Sequence, residues 1–394
     1  MSQIELIEIQ KYLKENKIDV WLIFDFRGQN HIAMNFFDLQ KERILTRRWF
    51  YCIPKSGEPT LLIHKIERDN FPQPPKQTQF YVSWQELKEK LGNMLKGSKR
   101  VAMEYSPNGA IPYVSCVDGG TLDLVRIFGV EIVSSASLVQ YFQCRWTPSQ
   151  LQSHIKAVRN LENIKNEAFA LIGEKIRNGS SINEYEVQKF ILNKLELLNM
   201  LTEEPPIVAV NANASNPHYA PSSDRCSPIK INDFVLIDLF GKEKISNAVY
   251  GDITWVGFVG EVIPEKFVKI FNLVAQARDA GLELLKDSAA KGEAVQGWQV
   301  DARVRDIITQ AGYGDYFDHR TGHSLDTNLH GSGVNIDGLE TQDQREIIPG
   351  LGFTIEPGIY LNEFGVRSEI DVYYSEEGPK VYGPIQREII AILK

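Results

Sequence analysis

Four of the seven histidines in this 394-residue chain, His218, His319, His323 and His330, crowd into its second half. The same half carries four acids inside apolar words: Asp238 in Val-Leu-Ile-Asp-Leu-Phe, Asp252 in Gly-Asp-Ile-Thr-Trp, Glu356 in Phe-Thr-Ile-Glu-Pro-Gly and Glu369 in Gly-Val-Arg-Ser-Glu-Ile-Asp. A carboxylate in an apolar strand costs stability unless it is paired or metal-bound. Asp238 and Asp252 lie fourteen residues apart across a turn with Gly241 and Gly251, so an antiparallel hairpin can carry both to one face. Glu356 and Glu369, thirteen apart around Asn362 to Gly365, can be arranged the same way. Four carboxylates and an imidazole at one point are unstable as free anions, because like charges a few ångströms apart raise one another's pKa. Divalent cations resolve the conflict, and two of them roughly 3.5 to 4 Å apart can hold a hydroxide ready at neutral pH. The chemistry expected is metal-assisted hydrolysis, with ligands that suit Mn, Co, Fe or Zn.

Those residues need a scaffold. Short β-rich runs alternate with amphipathic helices up to about residue 147, the pattern of a compact α/β layer. Strands are expected over 20–26, 49–54, 61–66, 100–105 and 131–135, with a hairpin signal at Lys55, Ser56, Gly57 and Glu58. Helices are expected over 5–16, 84–95 and 121–128. None of these elements gathers His, Cys or acids suggestively, and Trp49, Phe50 and Tyr51 read as strand core. Thr147 can cap a helix that begins at Pro148 and runs to about Arg177, opening a second domain over 148–394 after a first over 1–147. A second helix is expected over 182–201, then strands over 207–211, 234–240 and 253–259, helices over 265–286 and 295–312, and strands over 353–361, 366–374 and 385–393. Runs of strands with helix pairs between them indicate an α+β second domain.

Composition narrows the partners. A hydrophobic content of 43%, a charged content of 24%, 29 Gly and 18 Pro are ordinary for a globular chain and exclude collagen-like and disordered classes. The net charge of −8 supplies no field for gripping a phosphate backbone, so nucleic acid is not an expected partner. No apolar run approaches the roughly 18 residues that cross a bilayer, and no membrane partner is expected. The four cysteines show no CxxC spacing and read as reduced thiols of a cytoplasmic protein.

The second domain resembles the pita-bread fold of the methionine aminopeptidase, Xaa-Pro aminopeptidase and prolidase family. The resemblance rests on Asp-Ile-Thr at Asp252, Thr-Gly-His at His323, Ile-Glu-Pro-Gly-Ile-Tyr at Glu356 and Gly-Val-Arg-Ser-Glu at Glu369. It implies metal ligands Asp238, Asp252, His323, Glu356 and Glu369, with Asp252 and Glu369 bridging two divalent ions, manganese first, with Co, Zn or Fe as alternatives. A metal-bridging hydroxide would attack the scissile carbonyl, with Glu356 moving the proton. His218, in Asn-Pro-His-Tyr, and His330 match the family's substrate-binding histidines and would act catalytically on the carbonyl. His319 would touch substrate or orient a neighbour, and Arg367 would meet a substrate carboxylate or pair with acids. Tyr219, Trp255 and Tyr360 could line a proline pocket, though core packing is the plainer reading of each.

The first domain resembles the smaller creatinase-type α/β domain that precedes the catalytic domain in prolidases and Xaa-Pro aminopeptidases. This organisation points to the proline-specific branch: an exopeptidase acting before proline on peptides or dipeptides, and a homodimer like its relatives. A metal-independent creatinase-like hydrolase and a non-catalytic interaction module are the alternatives, and five retained ligands weigh against both. The family's Gly-His-Gly-Ile-Gly and His-Glu words read here as Gly322-His323-Ser324-Leu325-Asp326 and His330-Gly331, so Asp326 and Asn328 enter a stretch usually small and apolar. Asp326 reads as a solvent-facing loop residue.

Overall fold

The computed structural model describes residues 3–37, 39, 45–71 and 74–394. Contacts divide the chain into two compact units, Met1–Gln143 and Cys144–Lys394. The division falls four residues before the boundary expected at 147/148 because Trp146 packs in the second unit. Its indole N–H donates to the Leu325 carbonyl at 3.0 Å, and its ring stacks on Tyr373.

The first unit runs α1 (Gln3–Glu15), β1 (Val20–Phe26), α2 (His31–Phe36), β2 (Arg48–Pro54), β3 (Thr60–His64), β4 (Gln77–Tyr81), α3 (Trp84–Met94), β5 (Arg100–Met103), α4 (Gly119–Arg126), β6 (Glu131–Ser134) and α5 (Ala136–Val139). Its six strands form one mixed sheet in the order β4-β3-β2-β1-β5-β6. The central strand β1 is apolar on both faces because both are covered: Val20 to Phe24 are all buried. Strand β4 was not expected from its sequence, Gln-Thr-Gln-Phe-Tyr. It lies at the sheet edge with mostly exposed side chains, so it carries little apolar signal. Two buried acids stand in this core fully hydrogen-bonded. Glu104 accepts from Trp21 Nε1, Asn30 Nδ2 and Ser135 Oγ, and Asp25 from the Gly28 and Asn30 amides and Trp49 Nε1.

The second unit opens with α6 (Pro148–Arg177), whose capping box joins Thr147 to Gln150, and α7 (Glu184–Leu197), capped by Asn183 and Glu186. The expected helix over 182–201 ends early. Asn199 takes a positive φ of 53°, and Met200–Leu201 becomes β7. There follow β8 (Ile207–Val210), β9 (Phe234–Glu243), β10 (Gly251–Phe258), α8 (Glu265–Lys291), α9 (Gly297–Gln310), β11 (Ser324–Leu325), β12 (Gly352–Ile355), β13 (Gly358–Tyr360), β14 (Gly365–Arg367), β15 (Ile370–Ser375), β16 (Gly378–Lys380) and β17 (Ile390–Ala391). No helix among the described residues is long and apolar enough to cross a membrane.

Strand alternation gives β9 two apolar faces. Val235, Ile237 and Leu239 pack against α6 and α7, whereas Phe234 and Leu236 pack against α8 and α9. Two residues further along that second face comes Asp238. The strands expected over 353–361 and 366–374 are each broken in two, at Glu356–Pro357 and Ser368–Glu369. Proline lacks the N–H that would continue a ladder. The two resulting ladders keep one register, Ile355 opposite Ile370 and Gly358 opposite Arg367, which carries Glu356 opposite Glu369 at the break. The strand expected over 385–393 shrinks to Ile390–Ala391, because the Gln386 side chain takes the place of a backbone partner. Its amide accepts from the Val256 N–H at 3.0 Å and donates to the Val256 carbonyl at 2.7 Å.

Candidate metal centre

The β9–β10 hairpin sets Asp238 opposite Thr254 and Asp252 opposite Phe240, so the two acids share one face. His323 arrives just before β11, its amide donating to Thr354 Oγ1 at 3.0 Å and its carbonyl accepting from the Thr354 amide at 2.9 Å. The β12–β15 junction supplies Glu356 and Glu369. Ligand atoms of Asp252, His323 and Glu369 fall within 4.8 Å of one another. His323 Nε2 lies 3.5 Å from Asp252 Oδ2 and 3.4 Å from Glu356 Oε1. Asp238 joins through Arg367, whose Nη2 donates to Asp238 Oδ2 at 2.6 Å while its Nε stands 3.9 Å from Glu356 Oε2.

Arg367 is buried and organises a continuous hydrogen-bond chain. Its Nε donates to Thr254 Oγ1 at 3.1 Å, and that hydroxyl donates to Glu369 Oε2 at 2.7 Å. Its Nη1 donates to the Tyr360 hydroxyl at 3.0 Å, and Tyr360 meets His319 Nε2 at 2.7 Å. His319 Nδ1 faces the Arg320 carbonyl at 2.6 Å. That contact requires Nδ1–H, which leaves Nε2 to accept from Tyr360. Both ring nitrogens of His319 are thus engaged within the protein. His218 is exposed and close enough to Asp238 to favour its anion. The exposed His330 meets the His323 ring edge-on, with centroids 4.3 Å apart.

Burial pushes Asp252 and Glu369 well above the usual carboxylate range, and the acids beside them push further. Burial also raises Asp238, against the pull of Arg367, and lifts Glu356 to about 7. It holds His323 well below the ordinary imidazole value. Asp238 Oδ1, Asp252 Oδ1 and Glu369 Oε1 are buried and accept no hydrogen bond from any described residue. Asp25 and Glu104 of the first unit, equally buried, receive three and four donors. Unsatisfied carboxylate oxygens beside a neutral imidazole make a donor set that fits divalent cations, and a cation would relieve the repulsion.

Sequence reading missed Asp371 and His154. Asp371 is buried, accepts from the Asp252 amide at 2.9 Å and lies 3.9 Å from His154 Nε2, while His154 Nδ1 meets the Tyr250 carbonyl at 2.7 Å. The available signal was position: Asp371 follows Glu369 by two residues. Trp255 belongs to the other face of β10, beneath Lys165, whose ammonium lies 3.3 Å from the indole centroid. Tyr219 donates to Glu184 at 2.6 Å within the core, so of the three aromatic candidates Tyr360 alone joins the Arg367 chain. Asp326 is half-buried and its carboxylate is engaged within its own loop. It accepts from the amides of Asn328 at 2.6 Å and Ser332 at 3.2 Å.

Residues 156–376 match the pattern of metallopeptidase family M24. Among curated proteins, the chain is 30% identical over 231 residues to an Xaa-Pro dipeptidase of Lactobacillus delbrueckii subsp. lactis, covering 56% of each. It is 28% identical over 277 residues to an Xaa-Pro dipeptidase of Pyrococcus furiosus, covering 66% of this chain and 75% of that one. The chain spans about half the length of the first curated relatives it matches, 56%, 39% and 51%. Similar solved structures include a dipeptidase from Pyrococcus horikoshii OT3, with TM-score 0.69, 23% identity and coverage of 98% of this chain and 99% of that one. Dipeptidase PepE from Mycobacterium ulcerans gives TM-score 0.76, 18% identity and coverage of 98% and 97%. These likenesses establish the fold, a creatinase-type α/β domain followed by a pita-bread domain.

Proposed function

Because the chain belongs to metallopeptidase family M24, we propose that it is a two-metal exopeptidase that hydrolyses the peptide bond preceding proline. The observation that carries the proposal is the cluster of Asp252, His323 and Glu369 ligand atoms, beside which Asp238, Asp252 and Glu369 each keep a buried carboxylate oxygen that accepts no hydrogen bond from any described residue. In this reading Asp238, Asp252, His323, Glu356 and Glu369 hold two divalent ions, manganese first among Mn, Co, Zn and Fe. When bound, the ions lower the pKa of water and polarise the scissile carbonyl. The rest is the work of the chain. Glu356, the most exposed of the acids with a side chain 16% accessible, takes a proton from the attacking water and passes it to the leaving nitrogen. His218, exposed beside Asp238, and His330, exposed beside the His323 ring, donate to the substrate carbonyl as it gains charge. Arg367 fixes Asp238 and keeps the Tyr360 hydroxyl in place, and His319 orients Tyr360 from behind, at the margin of the substrate site.

Proline-containing peptides or dipeptides are the proposed substrates, as for the Xaa-Pro dipeptidases named above. Four unpaired cysteines suit a reducing cytoplasm. Phe80, Val82 and Trp84, 41%, 59% and 66% exposed, give the first unit an apolar surface that suits the proposed homodimer. The decisive assay is a panel of Xaa-Pro dipeptides and longer Xaa-Pro peptides with metal-stripped protein and added Mn, Co or Zn. Metal-dependent release of the first residue is the expected result. Cleavage restricted to dipeptides makes the enzyme a dipeptidase, and cleavage of longer peptides an aminopeptidase. No turnover on any member, with two ions bound, removes the proposal.

A further inference from the structure

His330 is exposed, and its only ring contact among the described residues is the edge of His323. With no other ring packed on it among the described residues, the backbone of its loop sets its position. That backbone is tied at several points. The Asp326 carboxylate accepts from the Asn328 amide with Oδ1 and from the Ser332 amide with Oδ2, closing the loop around His330. The Asp326 carbonyl accepts from the Tyr250 amide at 3.1 Å, anchoring the loop to the start of β10 beside Asp252. On the far side, buried Arg345 donates to the Ser332 and Gly333 carbonyls at 2.6 and 2.7 Å, with Asp343 gripping the same guanidinium. The Gly331 amide donates to the Ser324 carbonyl at 2.7 Å. A methyl group at 331 would come within 2.6 Å of Asp326 Oδ2 and 2.8 Å of Ser324 Oγ. Gly331 does not have a positive φ, so glycine is required there for space and not for backbone freedom.

We propose that Asp326 is a positioning residue: its carboxylate fixes the loop that holds His330 against His323, and residue 331 is glycine because that carboxylate fills the space a side chain would need. Asp326 and Gly331 then act as one pair, the carboxylate occupying the space that the glycine leaves. The proposal rests on the reading of His330 as a donor to substrate, and it assigns Asp326 no contact with substrate or reacting atoms.

The experiment uses metal-loaded full-length protein and the variants Asp326→Ala, Asp326→Asn, Gly331→Ala, His330→Ala and the doubles of Asp326→Ala with each of the last two. Asp326→Ala should lower kcat by about tenfold to a hundredfold, the scale of a small misplacement of a catalytic group, with KM and bound metal little changed. Asp326→Asn, which keeps one acceptor oxygen, should lose less. Combined with His330→Ala, the Asp326→Ala change should cost nothing more. Gly331→Ala should be as damaging as Asp326→Ala alone, yet add less than that loss in its presence, because only the contact with the Ser324 hydroxyl is left. Losses that multiply in either double variant overturn the proposal. An activity-independent readout is the histidine ring spectrum of ¹⁵N-labelled, zinc-loaded protein. The His330 ring signals should shift or broaden in Asp326→Ala while those of His154, engaged elsewhere, stay in place. Unmoved His330 signals overturn the proposal even if the wild type cleaves Xaa-Pro peptides. A wild type that cleaves none, with His330 signals that move, leaves the positioning role standing and removes the substrate reading.

Discussion

Glu356 differs from the other acids of the centre in standing at the edge of burial, its side chain 16% accessible against 11% for Asp238 and 6% for Asp252, with its carboxyl lifted to about 7. A group that must exchange a proton needs that access and that balance. Glu356→Gln keeps the shape and removes the exchangeable proton, so kcat should fall by at least about a hundredfold while the fold survives. Circular dichroism and an Xaa-Pro assay check both halves, and unchanged turnover would take Glu356 out of the mechanism. Among the described residues Arg367 is the one cation inside the cluster, and Arg367→Met leaves Asp238 buried without it. Breaking a buried pair costs about 3 to 5 kcal/mol, so the metal-free protein should unfold at clearly lower urea, with the loss reduced when metal is present. Equal midpoints would show that Arg367 compensates no charge. The raised carboxyls also set the sign of a pH effect. Their folded pKa values lie above the unfolded ones, so their contribution is present at low pH and lost as pH rises through the folded value, about 7 for Glu356. The lowered His323, His154 and His319 act oppositely, but only below about pH 6.5. Between pH 6.5 and 8 the metal-free protein should therefore lose stability, by up to about 1.4 kcal/mol per pH unit for each proton released. Urea titrations in EDTA at several pH values measure the slope, and a rising stability would contradict the assignment.

At the level of strands and helices, His323 depends on a backbone approach that only glycine permits. A methyl on Gly322 would lie 2.0 Å from the Thr354 carbonyl oxygen, a contact that no side-chain adjustment relieves. Gly322→Ala should push β11 from β12, destabilise by about 1 to 3 kcal/mol and weaken metal binding, read by calorimetric titration. Unaltered affinity would mean that the ligand positions tolerate a shifted strand. The same level shows what was legible in the sequence. The helix from Pro148 to Arg177, with Thr147 as its cap, was readable to the residue because capping chemistry is local. The β9–β10 hairpin was readable because alternation and two glycines fix its faces. Strand β4 was hidden because an edge strand needs no apolar pattern, and the breaks at Pro357 and Ser368 because apolar runs do not reveal which sheet receives them. The four acids of the centre announced themselves as polar residues in apolar words, and His323 through the resemblance of its Thr-Gly-His word. Thr254, Asp371, His154 and Arg345 did not, since their part lies in hydrogen bonds between segments distant in sequence.

Across the whole molecule, the two units handle buried charge differently. In the first, Asp25 and Glu104 are surrounded by donors, so that unit needs no ion for its stability. In the second, the acids of the centre keep oxygens that no described group satisfies. Chelation should thus lower the unfolding temperature of the second unit and leave the first largely unmoved, separating two transitions in a calorimetric scan. A common shift of both would show that the units do not melt independently. If the acid cluster holds two cations, the metal content of dialysed protein must track its activity. Two tightly held divalent ions per chain are expected, lost in step with turnover as EDTA is added and restored with it by Mn or Co. Full peptide hydrolysis by protein that carries no divalent metal would contradict the two-cation site.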